Sequence, residues 1–353
     1  MSAAVDEMHQ SPRRRRAVAI FCLAGSVFGF ALIPIFLRHF AHSLDAWTVN
    51  GVRYSVGALF WLPFLLLLDR EPTATESVPS NSKPHGVWVD AIVPSLLNVV
   101  AQACFGLGPY YVSASTIGFV LRLAFLFTIV FGFLVLAEER LLARRPSFWV
   151  GAGISLFGLG AMYSDKLGLG GASALGTLIV LASAIGTGAY TVSVRYFMSH
   201  YSVRLSFGVI SLYTSILLVV LMFAIGDYSP LLHLSLTLWA LLTLSAMIGI
   251  AFGQVMMYQA IQHFGPVVAS GAQLVTPFIT YLVAAVCLGE SMSSSEWIGG
   301  VLLIVGGALL VLARLQIERR GLAEVQDLRP SPPPRTHRRF AHQSECCAPP
   351  TKN

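Results

Sequence analysis

The sequence predicts an all-α membrane protein whose ten transmembrane helices form two inverted repeats of five. Composition, the length of the apolar runs and an internal repeat predict this fold class. The chain is 55% hydrophobic and only 11% charged, and its mean hydropathy is +0.71, a balance typical of proteins whose solvent is the lipid bilayer. Its apolar runs reach the length of about 20 residues that a helix needs to cross about 30 Å of hydrocarbon. They do not alternate in polarity, as the strands of a membrane barrel would.

Apolar runs of this length occur five times in each half of the chain. In the first repeat, over 17–164, we predict helices at 17–37, 47–68, 92–112, 117–137 and 148–163. In the second repeat, over 173–315, we predict helices at 175–197, 205–225, 236–258, 267–288 and 297–312. The flanking segments are a basic N-terminus over 1–16 and a proline-containing tail over 316–353. Residues 70–86 and the chain from Glu318 onward lack the apolar content of a core, so we expect a loop in the first and a disordered tail in the second.

The distribution of lysine and arginine predicts the orientation of the helices. With the N-terminus inside, the basic run Arg13–Arg16 and most basic loop residues, among them Arg195, lie on the cytoplasmic side, whereas only Arg38 and Lys166 lie outside. This is the bias of the positive-inside rule, and an even number of helices brings the C-terminus to the cytoplasm as well. The rule also explains the net charge of +6, so the charge does not indicate a nucleic-acid partner. We expect a multi-pass protein of the cell inner membrane.

The two halves of the chain resemble each other at constant offsets in their first, fourth and fifth helices. The matches are Ser26 with Ser183, Gly29 with Gly186 and Arg38 with Arg195 at an offset of 157, Glu138 with Glu290 at 152, and Gly151 with Gly299 and Gly158 with Gly306 at 148. Because each half holds an odd number of helices, the second copy enters the membrane in the opposite sense to the first. Such inverted repeats are the physical basis of alternating access around a midplane site.

These features resemble the EamA type of the drug/metabolite transporter superfamily, over roughly 17 to 312. The resemblance rests on the two homologous halves and on the Ala-Glu and Gly-Glu pairs that place Glu138 and Glu290 before a glycine-rich fifth helix. The second half fits best because it also has Pro277, whereas the first half has Phe125 where the family usually has proline. The resemblance implies transport of small solutes or drugs, often export and often coupled to protons.

Two arginines fall inside predicted helices. Arg122 lies well inside the fourth helix, where burying a guanidinium is costly unless it faces protein, water or a partner. It either holds an anionic group of a substrate or excludes cations, or it ties the bundle together by pairing with carbonyls or a carboxylate. Arg53, near the outer start of the second helix, is either a functional residue or a side chain that extends to the membrane surface.

Polar side chains mark equivalent positions in the third and eighth helices. Gln102 and Gln254 are related by the offset of 152. Asn98 shares a helix face with Gln102, and Tyr258 shares one with Gln254, because residues four apart lie on the same side. These four side chains either line a central pathway or hydrogen-bond between helices.

The remaining candidates have structural interpretations beside functional ones. Tyr190 and Ser26 either line the same pathway or serve packing and backbone hydrogen bonding. Packing or bending of helices is the role expected of Gly29, Gly186, Gly151, Gly299, Gly306 and Pro277. Glu138 and Glu290 fall at the membrane edges as helix-end anchors or salt-bridge partners. No acidic residue lies in the middle of a predicted helix, which favours neutral, zwitterionic or anionic solutes over organic cations.

We therefore expect a secondary transporter of small metabolites or drugs that works by alternating access, with export as the direction that the resemblance implies. The alternatives are a membrane-embedded enzyme and a channel or scaffold without a transport cycle. The sequence has neither a P-loop nor a recognisable nucleophile motif, and no Cys/His spacing typical of a metal site, so we expect no enzyme activity, cofactor or metal. The expected partners are a small-molecule substrate, the lipid bilayer and a coupling proton or ion. One chain contains both repeats, so we expect a monomer.

Overall fold

A computed structural model describes residues 12–40, 43–67, 85–108, 111–112, 114–164, 174–288 and 292–327. Most of these residues are helical, and none of them belongs to a strand. We label the long helical stretches α1 to α10 in chain order. They are α1 (Pro12–Phe40), α2 (Ala46–Leu67), α3 (Ile92–Leu107), α4 (Ala114–Arg122 and Ala124–Val135), α5 (Pro146–Tyr163), α6 (Ala174–Met198), α7 (Val203–Ile225), α8 (Leu236–Ala246, Met247–Gln254 and Val255–Phe264), α9 (Pro266–Ala272, Gln273–Val275 and Thr276–Leu288) and α10 (Ser294–Asp327). Short helices Val87–Asp90, Arg140–Ala143 and Ser229–His233 precede α3, α5 and α8.

Nine helical segments in the described part of the chain are long and apolar enough to cross a membrane, namely α1 to α4 and α6 to α10. The expected tenth, α5, is 18 residues long and rich in glycine, which lowers its hydropathy. Large apolar side chains such as Phe21 of α1, Leu134 of α4 and Phe157 of α5 are exposed, as expected of a surface that faces lipid rather than water. The chain is a multi-pass membrane protein whose described residues are mainly helical, and nine rather than ten of the described helices are long and apolar enough to span the bilayer.

The helices begin at residues that suit helix starts. Asp45 accepts hydrogen bonds from the backbone amides of Trp47 and Thr48 at the start of α2, and Ser202 and Ser235 cap α7 and α8 in the same way. Proline is the first residue of α5 and α9, where its missing amide proton costs nothing. At its other end, α10 runs to Asp327, beyond residue 316, where the composition predicts a disordered tail to begin.

Helices α5 and α10 pack against each other through equivalent glycines of the two repeats. A Cβ on Gly151 would lie 3.0 Å from the carbonyl oxygen of Gly306, and one on Gly158 would lie 2.9 Å from that of Gly299. The reverse contacts are as close, since a Cβ on Gly299 or Gly306 would lie within 3 Å of the carbonyl oxygen of Gly158 or Gly151. The first glycine of each helix meets the second glycine of the other, so the two helices are antiparallel. At these four positions the backbones are too close to leave room for a side chain.

The first helix of each repeat packs on the third helix of the other. A Cβ on Gly29 of α1 would lie 3.8 Å from the Cα of Gly253 in α8, and one on Gly186 of α6 would lie 3.3 Å from the Cα of Ala101 in α3. Gly29 and Gly186 are repeat equivalents at an offset of 157, and Ala101 and Gly253 are equivalents at 152. The sequence repeat is therefore matched by a repeat of contacts.

Both fourth helices are interrupted at equivalent places, although the sequence predicts each as one continuous helix. α4 breaks between Arg122 and Ala124, where the amide of Leu123 bonds to the carbonyl of Val120. α9 breaks over a 3₁₀ turn at Gln273–Val275, which the offset of 152 places opposite the break in α4. In α9 the turn precedes Pro277, which cannot donate a backbone hydrogen bond. The first repeat has no proline at this position and breaks nevertheless.

Helix α8 contains a π-helical segment over Met247–Gln254. This wider turn changes the backbone hydrogen-bond register, and the indole nitrogen of Trp61 in α2 donates to the carbonyl oxygen of Ala251 inside it at 2.9 Å. π-helical turns within α-helices often occur at functional sites. The segment faces α2 and α1 in the interior of the bundle, because a Cβ on Gly57 of α2 would touch Ile250 and one on Gly29 would touch Ile248.

Candidate functional site

Five polar side chains from five helices lie close together in the interior of the bundle. We call them the tyrosine cluster, and they are Tyr54 of α2, Asn98 of α3, Tyr190 of α6, Thr214 of α7 and Tyr258 of α8. The hydroxyl oxygens of Tyr190 and Tyr258 are hydrogen-bonded at 2.6 Å. The Asn98 amide donates to the Thr214 hydroxyl at 3.2 Å and is also a hydrogen-bond partner of the Tyr54 hydroxyl. All five are buried.

The tyrosine cluster combines predicted and unpredicted residues. The sequence names Asn98, Tyr190 and Tyr258 as pathway candidates, and the structure brings them together, with Tyr54 close enough to interact electrostatically with both other tyrosines. Sequence reasoning misses Tyr54 and Thr214, because a single tyrosine or threonine in an apolar helix carries no distinctive pattern. Both repeats contribute to the cluster, as a midplane site between inverted repeats requires.

Aromatic rings line one side of the tyrosine cluster. Phe207 of α7 packs edge-on against Tyr258, with ring centroids 5.5 Å apart, and against Trp61 of α2 at 6.2 Å. Trp61 is the residue that bonds to the π-helical segment of α8. The polar groups therefore lie beside an apolar wall, a combination typical of sites for small organic molecules.

Arg53 lies next to the tyrosine cluster on α2 and is only 5% exposed. Its guanidinium lies over Gly249 in the π-helical segment of α8, where a Cβ would be 3.2 Å from Nη2. Its Nε has no hydrogen-bond partner within the described residues. The alternative in which Arg53 extends to the membrane surface is therefore wrong. A buried guanidinium with an unused donor is a strong site for an anionic group, because an unpaired buried charge is costly.

Arg122 is the last residue of the first segment of α4 and lies at the break in that helix. Its side chain is half-buried, and its buried Nε has no hydrogen-bond partner in the described part of the chain. It lies close enough to Tyr163, at the end of α5, to interact with it electrostatically. The structure gives Arg122 no carboxylate partner among the described residues, so neither of its two sequence interpretations is decided.

Gln102 and Gln254 lie one helical turn from Asn98 and Tyr258 on the same helices. Both are half-buried, and they make no hydrogen bond to each other. Gln254 is the last residue of the π-helical segment of α8. The mirrored amides therefore flank the tyrosine cluster rather than belonging to it.

A second buried polar contact joins α1 to the break in α9. The amide of Gln273 donates to the Ser26 hydroxyl at 2.8 Å, and the Thr276 hydroxyl donates to the Gln273 side-chain oxygen at 2.9 Å. Ser26 itself donates to the carbonyl of Leu23. Ser26 is thus a helix-to-helix contact at the 3₁₀ turn before the buried Pro277. Gln273 is missed by sequence reasoning, although an amide four residues before a proline is a usable signal.

Hydrogen bonds join five residues from both repeats at one end of the bundle, where Arg195 lies. We call them the Arg195 network, and they are Glu138, Arg195, Gln262, Tyr201 and Asp90. Arg195 of α6 binds both carboxylate oxygens of Glu138, at 2.7 and 3.0 Å, and the backbone carbonyl of Gln262 in α8. The side-chain amide of Gln262 donates to the backbone carbonyl of Tyr201. The hydroxyl of Tyr201 in turn donates to the buried carboxylate of Asp90 at 2.7 Å. The network ties together the ends of four helices.

The charges of the Arg195 network are consistent with a closed, partly dry interface. Burial raises the pKa of Glu138, but the hydrogen bonds and charge of Arg195 outweigh that effect, so the pKa lies below its ordinary value. Burial and the neighbouring Asp90 raise the pKa of Tyr201 to about 12. At neutral pH Glu138 is therefore ionised and Tyr201 keeps the proton that it donates. Glu290, the repeat equivalent of Glu138, lies outside the described residues.

Residues 17–164 and 174–312 match the EamA-like transporter family, once for each repeat. No curated protein sequence matches the chain. Among the solved structures that match, one described as "Crystal structure of protein" is 15% identical, with a TM-score of 0.67, and the similarity covers 86% of this chain and 99% of that chain. At this identity the likeness shows the fold alone.

Proposed function

The chain belongs to the EamA-like transporter family, and from this premise we propose that it is a secondary transporter that moves small metabolites or drugs by alternating access. The resemblance found in the sequence is confirmed by the family match. Direction, mechanism and solute class are our proposal, with export as the direction.

The observation that carries the proposal is the buried tyrosine cluster beside Arg53. A protein that only needed a stable bundle would have little use for a guanidinium that is 5% exposed and has an unused donor, because burying it unpaired costs free energy. A solute with an anionic group would supply the missing partner, and the tyrosine hydroxyls and the Asn98 amide would bind its other polar atoms. We propose that the solute is anionic or zwitterionic and small enough for a single buried site, with Arg122 as a second contact.

The membrane arrangement that we propose has ten crossings, with α5 as the tenth, and both termini in the cytoplasm of a cell with an inner membrane. The close antiparallel packing of α5 on α10 supports membrane insertion of α5, since a partner that spans the bilayer would carry it there. The positive-inside rule places Arg195 on the cytoplasmic side. The Arg195 network is then the closure of the cytoplasmic end.

Opening of that closure requires helices to move, and the structure contains places where they can. The breaks in α4 and α9 are discontinuous helices of the kind that many transporters use at their binding sites. Glycine contacts such as that of Gly186 with Ala101 permit neighbouring helices to slide, because no side chains interlock there. The inverted repeat supplies an equivalent opposite state in which the other end is closed.

Counterflow in proteoliposomes tests the proposal. Vesicles loaded with pooled organic acids, amino acids or organic cations are mixed with labelled solute, for the unmodified chain, Arg53→Ala and Arg53→Lys. Arg204→Ala is the matched control, since Arg204 is an exposed arginine at the start of α7. We expect exchange of an acid pool, its loss in Arg53→Ala, partial retention in Arg53→Lys and no change in the control.

Three outcomes would contradict the proposal. Movement of no pool would remove the carrier assignment. Movement without trans-stimulation by loaded solute would indicate the channel alternative. Equal activity of Arg53→Ala, with correct folding shown by its melting temperature, would remove Arg53 from the site and with it the anionic-solute assignment.

A further inference from the structure

Glu139 is a buried carboxyl group that the proposed transport site does not use. It lies in the turn between α4 and α5, beside Glu138, and is 0% exposed. Neither of its carboxylate oxygens has a hydrogen-bond partner among the described residues. An ionised carboxylate normally accepts several hydrogen bonds when buried, and leaving it without them is strongly unfavourable. The environment of Glu139 is therefore suited to the protonated form.

The turn between α8 and α9 closes over this carboxyl group. Gly265 in that turn has φ of +82°, and the space that a Cβ there would need is occupied by Oε1 of Glu139. Only glycine satisfies both the positive φ and the close approach. The contact joins the turn between α4 and α5, in the first repeat, to the turn between α8 and α9, in the second, and it lies beside the Arg195 network.

The charged groups that face Glu139 come from three elements. Glu138 on the same turn repels its charge, whereas Arg195 of α6 and Arg314 of α10 attract it. Arg195 is already held by Glu138, and the buried Nε of Arg314 has no hydrogen-bond partner within the described residues.

Two further ionisable residues lie near Glu139 in sequence or on the turn that covers it. Arg140, the next residue, binds the backbone carbonyls of Phe133 and Leu134. His263, at the end of α8, packs its ring on Phe264. Neither contact involves Glu139.

We propose that Glu139 is a proton-binding site that controls the cytoplasmic end of the transporter, which closes when the carboxyl is protonated and opens when it is ionised. The proposal rests on the transport cycle proposed above. The proton is taken from and returned to the cytoplasm, and no other group is chemically changed. Ionisation creates a buried charge without donors, which is relieved when the turn at Gly265 moves away and water or Arg314 reaches the carboxylate.

The acid–base properties of the site place this switch near neutral pH. Burial raises the pKa of Glu139 to about 7, with Arg314 lowering it and Glu138 raising it by smaller amounts. An ordinary glutamate, with a pKa of about 4.3, would stay ionised throughout the physiological range and would not act as a switch.

Distance measurements by double electron–electron resonance test the proposal without any substrate. Spin labels are placed at two exposed positions, Leu141 in the turn before α5 and Arg204 at the start of α7. Spectra of the reconstituted chain are compared at about pH 5.5 and about pH 8.5, on either side of the pKa. We expect a short distance at low pH, a longer one at high pH and a midpoint near neutrality.

Variants identify the titrating group. Glu139→Gln, which imitates the protonated form, is expected to keep the short distance at both pH values. Glu139→Asp is expected to retain a pH-dependent change, and His263→Gln is expected to behave like the unmodified chain. The melting temperature at about pH 5.5 shows whether each variant is folded.

A distance that does not change with pH in the unmodified chain would overturn the proposal, and so would a change that persists in Glu139→Gln or disappears in His263→Gln. Failure of the proposed function is distinguishable from these outcomes. If no solute moves in proteoliposomes but the distance still depends on Glu139, the proton site stands and only the transport assignment falls.

Discussion

The hydroxyl oxygens of Tyr190 and Tyr258 lie 2.6 Å apart, so each tyrosine supplies the other's hydrogen-bond partner in the interior of the bundle. One hydroxyl donates and the other accepts, which leaves the proton of the acceptor available to a third group. The pair thus joins α6 to α8 and can also offer a donor to a bound solute.

Removal of one tyrosine hydroxyl is expected to cost more stability than removal of both. Tyr190→Phe or Tyr258→Phe leaves a buried hydroxyl without its partner, at a cost of about 1–3 kcal/mol, whereas the double variant leaves none. We expect both single variants to melt at lower temperature than the double variant. Transport should fall in the double variant if the free proton binds solute. Melting in detergent and counterflow measure the two effects, and equal stabilities of all three variants would contradict the coupling.

The stability of the protein is expected to depend on the pairing of opposite charges between Arg195 and Glu138, rather than on the identity of either side chain. Glu138→Ala leaves Arg195, which is 4% exposed, as an uncompensated charge, and breaking a buried pair in this way costs about 3–5 kcal/mol. We expect the loss of stability in Glu138→Ala to be below this range, because Glu138 is 25% exposed and water already weakens the pair. The exchanged variant Arg195→Glu with Glu138→Arg should recover part of the lost stability. No recovery in thermal melting would indicate that the geometry around Arg195, and not its charge, is what matters.

Glycine substitutions on α5 are expected to separate into two classes. Gly158→Ala places a methyl group 2.9 Å from the carbonyl oxygen of Gly299 and should destabilise the bundle by about 1–3 kcal/mol. Gly160→Ala lies two residues away in open space, with no atom within 4 Å of the new Cβ, and should be neutral or stabilising by up to about 1 kcal/mol. Unfolding measured in detergent distinguishes them. Equal effects would show that α5 and α10 do not pack as described.

The stability of the protein is expected to fall as pH rises through neutrality because of Glu139. Its folded-state pKa of about 7 is above the ordinary value, so protonation favours the folded state. This contribution is fully present below about pH 4.3 and is lost as pH rises through about 7, with an upper limit of about 4 kcal/mol.

Glu139→Gln cannot lose this contribution by titration. We expect its melting temperature to vary less than that of the unmodified chain between about pH 5.5 and about pH 8.5, and to be the higher of the two at the upper pH. An identical pH dependence of melting in the two proteins would show that another group is responsible.

The repeat and the helical fold are predicted from sequence because they depend on apolar run length and on matching residues such as Gly151 and Gly299. The interruptions in α4 and α9 are not predicted, because hydropathy reports apolar content and not hydrogen-bond register. Pro277 is a signal for the break in α9, but Phe125 gives none for the break in α4.

The candidate site is predicted only in part, for reasons that lie in three-dimensional contacts. Asn98 and Tyr258 are identified because polar residues in apolar helices are conspicuous. The burial of Glu139 is not identified, because it depends on the backbone conformation of Gly265, more than a hundred residues further along the chain. A carboxylate at a helix end looks exposed until the turn that covers it is known.

The packing of α5 on α10 has an evolutionary consequence. The interface is isologous, since equivalent residues of the two repeats contact each other reciprocally, as in a two-fold symmetric dimer. A half-length ancestor with the same glycines would have been able to bind a second copy of itself through this surface. Because the two copies must run in opposite directions, that ancestor would have had to insert into the membrane in both orientations before gene duplication and fusion fixed one copy in each.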